Sequence, residues 1–199
     1  MINLIAKSIV SFLINQNAIK KDDEEVYVYG LELITSTSIS LLSTLLLTLL
    51  FSNWYYFVIF YIFFIPLRIY AGGFHANSYE SCFFTTILVY TAYILILNKI
   101  PNIPFYIIAI LLVFSIITIF KFAPVIHKNN IITEIGVKKR RFISRLLIIV
   151  YALIISTLLL INLEYKIIIA IGLATTAVTI SIIINILFER REKNEKVLV

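Results

Sequence analysis

The stretch "WYYFVIFYIFFIPLRIYAGGFHANSYESCFFTTILVYTAYILIL", residues 54–97, is two apolar runs around one polar break. A helix crosses a bilayer with about 17 to 25 apolar residues. Run 54–70 meets the lower bound, and 82–97 comes close to it. Backbone N–H and C=O groups in lipid must be satisfied inside their own segment, so such runs read as helices. The break between them, "RIYAGGFHANSYESC" (68–82), collects an Arg, a Gly pair, a His and the single Cys of the chain.

Outward from this pair, four more runs fit spans: 31–51, 105–120, 144–161 and 167–188. Hydrophobic residues make up 61% of the 199 and charged residues 14%, with a mean hydropathy of +1.00. A soluble domain carries roughly a quarter charged residues, so this chain cannot cover a surface facing water. The predicted fold is all-α: a polytopic membrane protein of about six transmembrane helices, or four with two re-entrant segments. One membrane domain fills 1–199. No nucleic-acid partner is expected; the bilayer itself is the first partner.

Residues 1–20 do not resemble a signal peptide, because polar residues recur throughout. Asn3, Lys7, Ser11 and Asn15 stand four apart, with Ile5, Ala6, Ile9 and Phe12 filling the other face. That pattern predicts an amphipathic helix lying in the membrane interface. Lys and Arg then set the orientation. Lys7, Lys20, Lys21, Arg68, the basic loop 121–143 and the charged tail 189–199 fall on one side, against Lys99 and Lys166 on the other. Both termini and segment 68–82 are therefore expected to be cytoplasmic.

A cytoplasmic Cys82 stays a free thiol. Asn77 or Ser78 can cap a helix start, and Asn77 with Glu80 has capping-box spacing. Cys82 would then end the first turn, where the helix N-terminus favours an anion. His75 precedes it by seven residues, about 10.5 Å along a continuous helix. It can approach the thiol only if the chain folds back, which Gly72 and Gly73 permit. A thiol with a neighbouring base is the pairing of a cysteine protease. The residues alone leave a second reading open: a packed Cys, an ordinary turn and an interfacial His.

"RIYAGGFHANSYESC" resembles the R-x-x-x-G-G-x-H-A motif, with Cys seven residues after His, of the accessory gene regulator B family of membrane cysteine endopeptidases. Chain length, span number and the basic segment between spans 4 and 5 agree. The resemblance implies that His75 and Cys82 are the catalytic pair and that Arg68 and Gly73 support processing. It implies cleavage of a quorum-sensing precursor peptide, a thioester on the Cys, and closure of a thiolactone or lactone ring by an internal nucleophile of the precursor. It implies no cofactor.

Other protease signatures fail. Neither His75 nor His127 begins H-E-x-x-H, and G-x-S-G and G-x-G-D are absent. Two distant His and one Cys make a poor zinc site, so no metal is expected. Weaker signals remain. The run 31–51 is rich in Ser and Thr, which suits a helix packed within the bundle or at a homodimer interface. Lys138, Lys139, Arg140 and Arg141 can attract an acidic peptide tail, or anchor the chain beside anionic lipid. Arg68 is expected to bind a precursor carboxylate or pair with Glu80, and Glu32 to snorkel at the interface. The expected protein is a cysteine-type membrane endopeptidase. Its rival is a small transporter or export subunit without enzymatic activity.

Overall fold

The computed structural model describes residues 2–16, 18–51, 54–74, 79–99, 103–125, 133–161 and 164–197. Among them are seven α-helices: α1 (Ile2–Asn15), α2 (Glu24–Phe51), α3 (Tyr55–Ala71), α4 (Tyr79–Lys99), α5 (Phe105–Phe122), α6 (Glu134–Leu160) and α7 (Tyr165–Val197). Helices α2, α4, α5, α6 and α7 are long and apolar enough to cross a membrane. α3 is shorter, at 17 residues. Its rise of about 25 Å stands at the lower limit for a span. The all-α, multi-pass class follows from sequence and structure alike.

Cross-helix bonds fix the direction of each pass. At one end of the bundle, Asn98 on α4 donates to the Phe51 carbonyl of α2, and Tyr165 on α7 donates to the Ile103 carbonyl before α5. At the other end, Arg68 of α3 reaches Ser181 of α7, Arg145 of α6 donates to the Phe120 carbonyl of α5, and Val125 donates to Ala71. From α2 to α7 the chain therefore alternates. With α7 it returns to the end that carries the polar break.

α7 is the axis. In its most apolar window 61% of residues are buried, against 22% in each of the other four long helices, and it packs on α3, α4, α5 and α6. Two apolar clusters result. Tyr56, Phe60, Tyr90 and Leu97 fill the end away from the break. Leu67, Ala71, Ile119, Ile148, Val178 and Ile182 fill the end beneath it.

α2 has a polar face turned inward and an apolar face turned outward. Glu32, Ser36, Ser40, Thr44 and Thr48, one per four residues, are its buried positions, while Leu42, Leu46 and Leu49 are exposed. In lipid no hydrophobic force draws Leu inward, so hydrogen bonds and close packing decide which face meets protein. The Ser and Thr stripe is thus satisfied within the bundle and gives no support to a dimer. Glu32 does not snorkel: it is buried and accepts from Asn3 of α1. Asn3 is exposed with Lys7, Ser11 and Asn15 and reaches Glu32 from that face. α1 docks on α2 through Ala6 and Val10 and leaves Leu4, Ile5, Ile9 and Phe12 exposed.

Two segment boundaries differ from expectation. Positions 134–143 of the basic loop are helical, so Lys138 to Arg141 stand on the first two turns of α6. The charged tail is the last part of α7, through Val197. Hydropathy marks where lipid ends, whereas helical hydrogen bonding runs on into charged sequence.

Candidate active site

The polar break is built on the C-terminal end of α3. The Gly72 N–H donates to the Arg68 carbonyl at 3.1 Å and closes the last helical turn. Gly72 then turns the chain with φ 79°, and Gly73 follows with φ 137°. Only Gly enters this region of positive φ without steric cost. Each glycine also faces a neighbour that occupies the place of a side chain. A Cβ on Gly72 would lie 2.0 Å from the Val125 carbonyl oxygen, and one on Gly73 would lie 1.7 Å from Nη1 of Arg68. The R-x-x-x-G-G spacing is therefore one structural unit. Four residues bring the Gly72 amide over the Arg68 carbonyl, and the guanidinium fills the space beside Gly73.

The Arg68 side chain is committed to the protein itself. Its Nη1 donates to the Gly72 carbonyl at 2.9 Å and to Oγ of Ser181 at 2.8 Å, and its Nη2 donates to the Phe74 carbonyl. These carbonyls leave the C-terminal end of α3, where a cation is favoured. The Phe74 N–H donates to the Ser181 carbonyl at 2.9 Å and to its Oγ at 3.0 Å. The Phe74 ring lies 5.4 Å from that of Phe188, about two turns beyond Ser181 on α7. From the opposite side the Val125 N–H donates to the Ala71 carbonyl at 2.9 Å, and Val125 pairs with Gly72 in an isolated parallel bridge. The glycine turn is thus held between the segment after α5 and the C-terminal half of α7.

Cys82 is the fourth residue of α4, at the end of its first turn, and is exposed. α4 begins at Tyr79, directly after the predicted caps Asn77 and Ser78. These two and His75 lie outside the described residues. Glu80 lies in the first turn of α4. Lys138 and Lys139 are exposed on α6. The Arg140 Nη1 contacts the Ile69 carbonyl at 3.4 Å, so this residue leans on the end of α3. Arg141 is exposed beside it.

Ser181 was not among the residues the sequence singled out. The available signal was a polar residue in an apolar run, "TISIIINILF" (179–188). Nothing local marks which of several hydroxyls faces a partner 107 residues away.

The family model described as accessory gene regulator B matches residues 6–184, which take in α2 through most of α7 and the whole break. The chain matches no curated protein and no solved structure.

Proposed function

This chain belongs to the accessory gene regulator B family, and from that premise we propose that it is a membrane cysteine endopeptidase that cleaves and cyclises a precursor peptide. Its main support within the molecule is the placement of Cys82. The only thiol of the chain is exposed on the first turn of α4, the helix that follows the arginine-held glycine turn.

In this scheme His75 takes the thiol proton and the Cys82 sulfur attacks the scissile carbonyl of the precursor. The C–N bond breaks, and His75 returns the proton to the departing amine. The precursor's N-terminal part is left as a thioester on Cys82. Its internal Cys or Ser then attacks that thioester, closes the ring and frees the thiol. Turning an amide into a thioester is uphill, so the acyl group passes directly from Cys82 to the internal nucleophile and removal of the released C-terminal fragment pulls the reaction forward. Water must stay out, because hydrolysis of the acyl-enzyme is irreversible. A thiol sited where apolar α4 begins suits that need. Arg68 takes the role of support for the turn, since its donors already serve Gly72, Phe74 and Ser181. Lys138, Lys139 and Arg141 remain free to meet an acidic precursor tail.

The end of α3, the starts of α2, α4 and α6 and the end of α7 share one end of the bundle, which the positive-inside rule assigns to the cytoplasm. Labelling of Ser78→Cys in a Cys82→Ser background should occur from the cytoplasmic side only; labelling from outside alone would invert the assignment. The decisive test is Cys82→Ala with a precursor peptide that the wild-type protein processes. Processing should vanish while insertion stays intact. A precursor lacking its internal nucleophile should leave a slowly hydrolysing adduct on wild-type Cys82. Undiminished processing by Cys82→Ala would end the cysteine mechanism.

A further inference from the structure

We propose that Ser181 of α7 is a positioning residue for this reaction, a clamp that fixes the glycine turn and Phe74 at the end of α3. The proposal rests on the cysteine mechanism above and adds a residue outside its motif. Two donors, Arg68 Nη1 and the Phe74 N–H, converge on the Ser181 Oγ at 2.8 and 3.0 Å. A hydroxyl oxygen has two acceptor lone pairs, so its accepting capacity is used in full on the break. The Ser181 carbonyl takes the Phe74 amide as well. A Cβ on Gly73 would come within 2.7 Å of the same Oγ, so the glycine turn is pressed directly against this side chain.

The clamp stands on the most buried helix of the bundle. Val178 and Ile182, the neighbours of Ser181 on the inward side, are fully buried in the cluster that also holds Leu67 and Ala71 of α3. Phe74 is therefore tied at its amide, at its carbonyl through Arg68, and at its ring. His75 is the next residue in the chain. A general base must come within hydrogen-bond reach of the proton it takes, and a misplacement of about 1 Å can cost a hundredfold in rate. Ser181 touches no reacting atom in this scheme. It sets the point from which His75 departs.

The test uses the full chain in vesicles with a precursor peptide that the wild-type protein processes. Ser181→Val removes the hydroxyl, and Ser181→Thr restores it on the same branched frame. The Val variant should lose kcat on the order of ten- to a hundredfold with KM little changed, as a misplaced reacting group requires. The Thr variant should recover most of the rate. Combined with Arg68→Ala, Ser181→Val should add little further loss, since both remove one clamp. In wild-type protein the Phe74 amide should be protected from hydrogen exchange. Should the Val variant fail to accumulate, Ser181→Ala takes its place. Equal rates for Val and Thr, a loss confined to KM, full additivity with Arg68→Ala, or fast exchange at Phe74 would each overturn the clamp. Cys82→Ala runs alongside. If it still processes, the cysteine mechanism has failed whatever Ser181 does; if it is dead beside a fully active Ser181→Val, only the clamp has failed.

Discussion

Helices α2 and α7 share a composition and do different work. Both are apolar spans studded with hydroxyls, and in both the hydroxyls bond first to their own backbone. Ser40, Thr44 and Thr48 donate to carbonyls four residues back at 2.8–2.9 Å. Thr175, Thr176 and Thr179 do the same at 2.8–3.2 Å. This local satisfaction is the common habit of Ser and Thr in a helix. The helices part in what else the hydroxyls touch. On α2 the outside partners are tyrosine hydroxyls, Tyr61 to Thr44 and Tyr90 to Thr48, far from the glycine turn. On α7 Ser181 reaches the backbone and the arginine of the turn itself. A hydroxyl-rich span thus says little about function until its cross-helix partners are known.

The hardest way to break this contrast is at the contact between α7 and the turn. Gly73→Ala puts a Cβ into the Arg68 guanidinium and beside the Ser181 Oγ, at a φ of 137°. Strained backbone of this kind costs about 1–3 kcal/mol before any clash. Processing should fall below detection while the protein still inserts. A variant working at half the wild-type rate would show that the turn yields and the clamp is soft.

On the α2 side the same scale of perturbation should cost stability and spare function. Thr48→Val and Tyr90→Phe each remove one end of a buried hydroxyl pair. Hydrogen bonds between membrane helices average about 0.6 kcal/mol in double-mutant cycles, with a maximum near 1.7. Unfolding in detergent should show losses of that size, and the double variant should lose less than the two singles combined. Processing should stay near wild type. A collapse of processing here would tie α2 to the site and erase the contrast.

How much of this was legible beforehand differs between spans and contacts. The predicted runs 54–70 and 105–120 fall within a residue or two of α3 (Tyr55–Ala71) and α5 (Phe105–Phe122). Their ends coincide with polar or Pro-rich breaks that stop both lipid exposure and the helix. Runs 31–51, 144–161 and 167–188 found the spans but missed the charged turns of Glu24, Glu134 and the residues after Phe188, where the helix outlasts the membrane. In the candidate site, the sequence places Cys82 at the end of a first helical turn, as α4 (Tyr79–Lys99) has it, while the expected caps Asn77 and Ser78 lie outside the described residues. The role of Arg68 was not. A motif names an arginine and two glycines, but only the fold shows that the arginine fills the space the glycines leave. Ser181 was out of reach for a stronger reason: its partner set lies on another helix, and pairing between helices leaves no periodic trace in either one.

A milder perturbation tests the same contrast through glycine. α7 carries Gly172, where an added Cβ would meet Cγ2 of Ile108 at 3.1 Å. Ile108 is fully buried and has little room to retreat. Overpacking of this kind costs about 1–3 kcal/mol, and the low end is expected for one methyl. Gly172→Ala should lower the unfolding temperature and slow processing modestly, because α5 and α7 hold the two sides of the turn.

The smallest effect should come from the matching change on α2. An added Cβ at Gly30 meets nothing within 4 Å. Replacing a helical Gly by Ala removes unfavourable backbone entropy worth roughly 0.5–1 kcal/mol. With no clash to offset it, Gly30→Ala should leave the protein as stable as wild type or slightly more so, with processing unchanged. Gly172→Ala and Gly30→Ala are the same chemical change in two spans, so their difference isolates surroundings from propensity. If both destabilise equally, α2 is held as tightly as α7 on that face, by a partner such as a second copy of the chain. If Gly30→Ala stabilises while Gly172→Ala destabilises, the first turns of α2 are open on the Gly30 face and α7 remains the packed axis on which the turn is built.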